Sequence, residues 1–373
     1  MLRGRRRRRR PPLQHLALAL LPRSFFSAAR TAAWLACLLV GCLAVMNLGK
    51  ASGNHTPLAS WAGSSGNDSA PDWRANGALL GDAQTSGLEL CEEISPFLTG
   101  PMPQALMLTT DLKETEVEAY HREVLAGGVW RPSHCRARHK VAVILPFRDR
   151  QSHLSRLMAY LVPMLQRQLL DFRFIVTEQY GSDLFNKGRI MNAAFKVAES
   201  LGVECVVFHD VDMFPQDDRN YYGCPKTPRH LGAYVNTLGY ELWYDNLVGG
   251  VLMMTMADYR RVNGYSNSYW AWGGEDDDMG KRILYLKMPI ERPDKIHGRY
   301  TMLKHTKRQR IHSNLIYKML AQTEKRSPYD GVAQKSWRIV KMNKRPLYYH
   351  IYVDVGTPPD EWRKPPEKKA KRK

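Results

Sequence analysis

The feature that most constrains the fold is a short apolar segment that ends in two acids. Residues 206–208 (VVF) lead through His209 into Asp210-Val211-Asp212. The segment is β-branched, short and followed by a turn signal, which predicts a buried β-strand. In open α/β sheets, ligands bind beyond the carboxyl ends of the strands. Two carboxylates at that edge can hold a divalent cation and neutralise a diphosphate, so the triplet predicts a nucleotide-sugar site.

A second acidic element lies further along the chain, in the run 269–278 (YWAWGGEDDD). Like charges packed this tightly repel one another. Large aromatic side chains beside them stack well on sugar rings. The combination predicts a carbohydrate site with a catalytic carboxylate. A solvated acidic helix start is the alternative, because Asp and Glu favour helix N-termini.

Strand and helix patterns alternate between residues 140 and 212. Strands are predicted at 141–146, 172–176 and 204–208, and helices at 152–168 and 189–200. This alternation predicts an α/β fold with a mainly parallel central sheet flanked by helices. After residue 212 the pattern becomes irregular and rich in Gly, Tyr and Trp, which predicts long loops that form the acceptor site.

The net charge of +19 is concentrated at the two ends of the chain. Residues 1–30 predict a cytosolic basic tail, and the uncharged apolar residues 31–48 predict a single-pass signal anchor. A cleaved signal peptide is the alternative for this segment. Basic blocks are also typical of nucleic-acid binding. The predicted topology separates the two tails by a membrane, so no nucleic-acid partner is expected.

Everything after the anchor is expected to be luminal. Residues 49–90 predict a flexible stem with glycosylation sequons at Asn54 and Asn67. A catalytic domain is predicted at 91–357, and a basic disordered tail at 358–373.

Four cysteines remain outside the apolar span. An even number in an oxidising compartment predicts two disulfides, and spacing alone allows three pairings. The cysteines are Cys91, Cys135, Cys205 and Cys224.

Taken together, the motifs resemble those of the β1,4-galactosyltransferase family of Golgi type II membrane enzymes. The matching segments are 145–150 (LPFRDR), 185–187 (FNK), 210–212 (DVD), 249–250 (GG), 270–278 (WAWGGEDDD) and 302–305 (MLKH). The resemblance covers about residues 91–356. It implies a glycosyltransferase A-type fold, a UDP-sugar donor, Mn²⁺ and an inverting mechanism. It also implies that Cys91 pairs with Cys135 and Cys205 with Cys224.

The resemblance further implies roles for individual residues. Asp276 resembles the general base. Glu275 resembles the catalytic residue that holds this base in place and positions the acceptor sugar, and Trp272 resembles a lid tryptophan. The metal ligands correspond to Asp212, Met302 and His305. Donor contacts correspond to Pro146, Phe147, Arg148, Arg150, Phe185, Lys187, Asp210, Val211, Asp212, Leu247 and Gly250. Acceptor contacts correspond to Tyr244, Trp272, Gly274, Glu275, Asp276 and Asp277.

The sequence departs from the family pattern at two of these positions. Lys187 stands where the family usually has Arg, and it supplies charge without bidentate geometry. Leu247 stands where galactose-restricted members carry Tyr, near the 2-substituent of the donor sugar. A smaller aliphatic residue leaves room for an N-acetyl group, as in the invertebrate β1,4-N-acetylgalactosaminyltransferase branch.

The expected reaction is therefore transfer of GalNAc from UDP-GalNAc, in β1,4 linkage, to a terminal GlcNAc of glycoproteins or glycolipids. One alternative is a galactosyltransferase that uses UDP-Gal with GlcNAc, Glc or xylose acceptors. Another is a non-catalytic Golgi lectin on the same fold. The expected partners are the donor, the glycan acceptor and the Golgi membrane. A homodimer is compatible with such an anchored enzyme, although no sequence pattern indicates one.

Overall fold

The computed structural model describes residues 87–103, 111–304 and 313–363. The predicted anchor at 31–48, both sequons, His305 and residues 364–373 lie outside these ranges. Within them, no helix combines the length and the apolar character that a bilayer crossing needs.

Ten strands are present in the described part of the chain. They are β1 (Lys140–Phe147), β2 (Asp171–Gln179), β3 (Cys205–His209), β4 (Met213–Pro215), β5 (Arg229–His230), β6 (Tyr234–Val235), β7 (Val251–Thr255), β8 (Arg299–Met302), β9 (Arg338–Lys344) and β10 (Tyr349–Asp354).

Eight α-helices accompany these strands in the same ranges. They are α1 (Glu114–Tyr120), α2 (Gln151–Arg167), α3 (Lys187–Ser200), α4 (Met256–Arg261), α5 (Glu275–Tyr285), α6 (Ser313–Leu320), α7 (Thr323–Arg326) and α8 (Asp360–Arg363). Short 3₁₀ turns occupy Asn236–Leu238 and Ser327–Tyr329.

The central sheet has seven strands in the order β5-β7-β3-β1-β2-β10-β9. The four central strands, β3, β1, β2 and β10, pair in parallel. The other three pairings, β5 with β7, β7 with β3, and β10 with β9, are antiparallel. The prediction of a mainly parallel sheet is therefore wrong for the outer strands. β7 is antiparallel because it begins at Val251, opposite His209 at the end of β3, and runs back along β3.

Strand β1 lies between two apolar layers. Its side chains alternate between the faces, as the pleat requires. Val141, Val143 and Leu145 face a core that includes α2. Ala142 and Ile144 face a second core that includes α3. The helices that the sequence predicted next to this strand therefore cover opposite faces of the sheet.

A second, three-stranded sheet has the order β4-β8-β6. β4 pairs with β8 antiparallel, which places Met213 opposite Met302. Leu303 N also donates a hydrogen bond to Asp212 O at 2.9 Å. This small sheet therefore joins the end of the Asp-Val-Asp segment to the end of β8.

Both disulfides have the pairing that the family resemblance implied, Cys91 with Cys135 and Cys205 with Cys224. The second bridge encloses the segment that contains Asp210 and Asp212. A covalent bond thus closes the loop from which the acidic triplet projects.

The folded part continues past residue 357, where the basic tail was predicted to begin. Helix α8 follows, and its Trp362 is 1% exposed. The Trp362 ring packs edge-on against Tyr269, with 6.4 Å between the centroids. Arg363 donates to Asp183 Oδ2 at 2.6 Å. The prediction of a disordered tail from 358 is therefore wrong for 358–363, because a buried tryptophan anchors this segment.

Removal of the second disulfide by Cys205→Ala together with Cys224→Ala is expected to lower the free energy of unfolding by about 3 kcal/mol. The bridge closes a loop of 19 residues, and opening it restores conformational entropy to the unfolded chain. Urea denaturation of the wild type and the double variant measures this loss. A loss below about 1 kcal/mol would contradict the expectation.

Candidate active site

Four charged side chains meet at the carboxyl edge of the central sheet; we call Lys187, Asp210, Glu275 and Asp276 the Lys187 cluster. Lys187 Nζ lies 3.0 Å from Asp210 Oδ1, 3.5 Å from Asp276 Oδ2 and 3.6 Å from Glu275 Oε1. One ammonium group therefore faces three carboxylates that come from two acidic segments far apart in sequence.

The segment before α3 positions Lys187. Asn186 caps the helix, because its side chain accepts a hydrogen bond from Arg189 N at 2.9 Å. The same side chain donates to Asn267 O at 2.9 Å. Next to Lys187, a Cβ on Gly188 would lie 2.0 Å from Ser266 O, so only glycine fits this close approach. These contacts fix the start of α3 against residues 266–267, which precede the acidic run.

The pKa values in the Lys187 cluster depart from those of free side chains. Burial raises the pKa of Asp276 to about 7, with Glu275 and Asp210 adding to the rise and Lys187 opposing it. For Lys187, burial lowers the pKa, but the facing carboxylates outweigh it and hold the pKa well above its usual value. Lys187 therefore stays charged near neutrality, whereas Asp276 exists in both protonation states.

The four acids of the run 275–278 form the first turn of α5, so the predicted helix start is also part of the candidate site. The N-cap is Gly274, whose φ of 95° lies in the left-handed region that favours glycine. Acids in a first turn are stabilised by the helix dipole. Glu275 and Asp278 are buried, whereas Asp276 is half-buried.

Asp278 anchors this helix, although no role was predicted for it from the sequence. Its carboxylate accepts hydrogen bonds from Tyr269 OH at 2.9 Å, Arg282 Nε at 2.6 Å and Thr323 Oγ1 at 2.9 Å. Arg326 also pairs with it. The spacing of Asp278 and Arg282, one helical turn apart, was the available signal.

The two tryptophans of the run have different environments. Trp270 is 1% exposed, and the Arg189 guanidinium lies over its ring at 4.8 Å. Trp272, the predicted lid residue, is 44% exposed. Ala271 between them has a φ of 68°, in the left-handed region that disfavours side chains. The chain therefore anchors one indole and presents the other at the surface.

The predicted donor residues surround the ends of β1, β2 and β3. Arg148 Nη1 donates to Asp183 O at 2.9 Å, and its guanidinium lies 4.9 Å over the ring of Phe185. Arg150 Nη1 donates to Asp212 Oδ2 at 2.9 Å. Arg150 therefore lies beside the Asp212 carboxylate, and the planar guanidinium groups of Arg148 and Arg150 suit the oxygens of a diphosphate.

The remaining predicted donor residues are buried or half-buried near this edge of the sheet. Pro146, Phe147 and Val211 are buried. Gly250 O accepts a hydrogen bond from Asp210 N at 2.8 Å. Leu247 is half-buried, and its N–H donates to Tyr244 O at 3.1 Å in a turn.

Next to that turn, a narrow hollow opens beside Lys187. Its lining includes Phe208, Val248, Leu252 and Tyr265. Tyr265, for which no role was predicted from the sequence, is 2% exposed. The hollow is thus apolar on one side and bounded by the Lys187 cluster on the other.

Two of the three predicted metal ligands can be located. The pairing of β4 with β8 brings the backbone around Asp212 next to the backbone around Met302. The third predicted ligand, His305, lies outside the described residues. The Asp212 side chain is 6% exposed and takes the Arg150 hydrogen bond. Met302 Sδ accepts from Thr237 Oγ1 at 3.7 Å. A buried carboxylate is a suitable donor for a hard divalent cation, and the thioether adds a softer donor. The chemistry of these two donors suits a divalent cation.

Two of the predicted acceptor residues, Tyr244 and Asp277, are in direct contact. Tyr244 OH donates to Asp277 Oδ1 at 2.7 Å, and burial together with this contact raises the pKa of Tyr244. A Cβ on Gly249 would lie 3.1 Å from Asp276 Oδ2. The absence of a side chain at Gly249 therefore leaves room next to the carboxylate that resembles the general base.

The fold and this arrangement define a nucleotide-sugar-dependent glycosyltransferase, and comparison with known proteins gives its family. Residues 91–225 match the family model described as the N-terminal region of glycosyl transferase group 7. Residues 229–306 match the model described as the N-terminal domain of galactosyltransferase.

Curated relatives give the same family. The chain is 37% identical over 300 residues to beta-1,4-galactosyltransferase 1 of Mus musculus, covering 79% of this chain and 75% of the relative. It is 38% identical over 283 residues to beta-1,4-galactosyltransferase 4 of Cricetulus griseus, covering 75% and 81%. The chain belongs to the β1,4-galactosyltransferase family.

A solved structure shows the same fold. The catalytic domain of Drosophila β1,4-galactosyltransferase 7, in complex with xylobiose, aligns with a TM-score of 0.54 at 26% identity. The alignment covers 60% of this chain and 98% of that one. A variant of the same Drosophila enzyme, in complex with manganese, UDP-Gal and xylobiose, aligns with a TM-score of 0.53.

Lys187→Met is expected to raise the pKa of Asp276 above 7 by about 1 to 3 pH units, because Lys187 is the neighbour that lowers this pKa. Lys187→Arg keeps the charge and is the matched control. Carbon-13 NMR titration of the aspartate carboxyl groups, with Asp276→Asn to assign the resonance, measures the shift. An unchanged pKa in Lys187→Met would contradict the electrostatic account.

Proposed function

We propose that this chain is an inverting β1,4-galactosyltransferase that moves galactose from UDP-Gal to a terminal GlcNAc of a glycoprotein or glycolipid. Its membership of the family makes it a UDP-sugar-dependent hexosyltransferase. The observation that carries the proposed reaction is the Lys187 cluster, where Asp210 on the predicted donor side meets Asp276 on the predicted acceptor side. The curated relatives, which are galactosyltransferases, favour galactose as the donor sugar.

In the proposed reaction Asp276 is the general base. Its pKa of about 7 leaves a large fraction ionised at neutral pH while the carboxylate remains basic enough to accept a proton. Asp276 takes the proton of the acceptor hydroxyl as that oxygen forms a bond to the anomeric carbon. The bond from this carbon to the UDP oxygen breaks on the opposite face, so an α-linked donor gives a β-linked product.

The donor side binds and orients the diphosphate. Arg148 and Arg150 supply planar guanidinium groups that suit phosphate oxygens. Asp212, Met302 and His305 would hold the proposed cofactor, Mn²⁺, which the related Drosophila complex contains together with UDP-Gal. When bound, this cation supplies positive charge that stabilises the leaving diphosphate.

A second candidate donor is UDP-GalNAc, and Leu247 is the observation that favours it. The side chain is half-buried in a turn that leads to the glycine pair beside Asp276. An aliphatic side chain there leaves more room than the tyrosine of galactose-restricted members. The relatives support galactose transfer better than the GalNAc transfer expected from Leu247 alone, so GalNAc is kept as the alternative.

We also propose that the chain is a single-pass type II protein of the Golgi membrane, with the catalytic domain in the lumen. The residues 31–48, the stem sequons and the two disulfides support this location.

A transfer assay with Mn²⁺ and a β-GlcNAc acceptor tests the proposed function. UDP-Gal is expected to be turned over by the wild type. Leu247→Tyr is expected to lower kcat/KM for UDP-GalNAc relative to UDP-Gal by about tenfold or more. The reason is that the tyrosine ring, which is larger than the leucine side chain, crowds the N-acetyl group of the donor. The ratio of kcat/KM for the two donors is the measured quantity.

Leu247→Ile is the matched control, since it keeps an aliphatic side chain of equal size. Turnover of UDP-GalNAc with none of UDP-Gal would overturn galactose in favour of the second candidate. No turnover of either donor on GlcNAc, Glc or xylose acceptors would contradict transferase activity.

A further inference from the structure

We propose that Asp330 is a positioning residue that holds Lys187 against Asp276. Asp330 lies far along the chain from both acidic elements of the candidate site, and it acts on this contact through other residues. The inference rests on the proposed function, because Asp276 is the proposed base and Lys187 is the cation that faces it.

Asp330 binds the segment 266–267 directly. Its Oδ1 accepts a hydrogen bond from Asn267 N at 2.8 Å, and its Oδ2 accepts one from Ser266 Oγ at 2.5 Å. Next to it, Gly331 O accepts a hydrogen bond from Asn267 Nδ2 at 2.7 Å. Ser266 and Asn267 are both buried. The position of this segment therefore depends on residues 330 and 331.

The same segment holds the start of α3. Asn267 O accepts a hydrogen bond from Asn186 Nδ2 at 2.9 Å. A Cβ on Gly188 would lie 2.0 Å from Ser266 O, so the two backbones are in close contact. These two contacts flank Lys187, and they fix the backbone from which its ammonium group projects.

A second set of contacts connects Asp330 to the first turn of α5. The Arg326 guanidinium pairs with Asp330 through Nη1 and with Asp278 through Nη2. Arg282 also lies between the two carboxylates, with Nε 2.6 Å from Asp278 Oδ1 and Nη2 3.6 Å from Asp330 Oδ2. Asp278 belongs to the same helical turn as Asp276. Two arginines therefore connect Asp330 to the turn that carries the proposed base.

These contacts form a closed ring of residues, which we call the Asp330 ring. One side runs from Asp330 through the segment 266–267 to Lys187. The other side runs from Asp330 through the two arginines to the turn that carries Asp276. The ring closes where Lys187 Nζ lies 3.5 Å from Asp276 Oδ2. The two sides meet at Asp330, so its carboxylate sets the spacing of the two charged groups.

Burial strengthens the charged side of the Asp330 ring. The side chains of Asp278 and Arg282 are at most 1% exposed, and that of Asp330 is 9% exposed. Ion pairs inside a protein are stronger than in water, and loss of one partner is destabilising because it leaves a buried charge unpaired. Loss of the Asp330 charge would leave two arginines facing one carboxylate, so both sides of the ring are expected to shift.

Carbon-13 NMR titration of Asp276 in a double-mutant cycle distinguishes positioning from stabilisation of the fold alone. With Asp330 present, Lys187→Met is expected to raise the pKa of Asp276 by about 1 to 3. In the Asp330→Asn background the same substitution is expected to raise this pKa by less than about half as much, because Lys187 is no longer held next to Asp276.

The other groups that face Asp276 are present in all four proteins of the cycle, so their effects on its pKa cancel in the comparison. They are the carboxylates of Asp210, Glu275 and Asp277 and the hydroxyl groups of Tyr244 and Tyr265.

The transfer assay measures the consequence for the reaction. Asp330→Asn is expected to lower kcat with UDP-Gal about tenfold, with a smaller change in KM, because a displaced base accepts the acceptor proton less readily.

Two further variants separate positioning from loss of folding. Ser266→Ala removes the hydroxyl that donates to Asp330 and leaves every charge in place, so it is expected to weaken the coupling between Lys187 and Asp276 less than Asp330→Asn does. Asp218→Asn neutralises an aspartate that is 0% exposed and pairs with Arg167, outside the ring. It is expected to leave the coupling unchanged, and circular dichroism melts confirm that each variant is folded.

A full rise of the Asp276 pKa in the Asp330→Asn background would overturn the positioning role, as would an unchanged kcat in Asp330→Asn or an equal loss of coupling in Asp218→Asn. If Asp330→Asn does not fold, an unchanged coupling in Ser266→Ala overturns it. In each case turnover by the wild type would leave the proposed function intact. No turnover of either donor by the wild type would overturn the proposed function and the positioning role together.

Discussion

The contact of one lysine with three carboxylates is the interaction on which the candidate site depends. Asp210, Glu275 and Asp276 would repel one another if no cation lay between them, and Lys187 Nζ lies 3.0 to 3.6 Å from all three. The lysine is held by a capped helix start and by the close approach of Gly188 to Ser266. It thereby joins the end of β3 to the start of α5, and the predicted donor side of the site to the predicted acceptor side.

Much of the first half of the fold could be predicted from the sequence. The strands β1, β2 and β3 and the helices α2 and α3 lie within a few residues of their predicted bounds, because each has a clear apolar pattern that packs into a buried core. The meeting of Asp210 with Asp276 was implied by the family resemblance. Strand geometry alone placed only the first of these acids at the carboxyl edge.

The second half was harder to predict, for physical reasons. β10 (YHIYVD) alternates buried aliphatic residues with Tyr and His, so its apolar run is broken and no strand was predicted there. β7 (VLMMT) carries methionines, which have little strand preference. Trp362 packs on Tyr269 through a contact between residues 93 positions apart, which no local pattern reveals. The role of Asp278 likewise depends on Arg326, from a different helix.

Calorimetric titration with UDP tests most directly whether this edge is a metal-dependent donor site. The wild type is expected to bind UDP more tightly with Mn²⁺ than with EDTA, and Asp212→Asn is expected to remove that difference. Asp360→Asn changes an exposed aspartate in α8 and serves as the matched control, which should behave as the wild type does. UDP affinity that is the same with and without Mn²⁺, or that is still enhanced by Mn²⁺ in Asp212→Asn, would contradict the account.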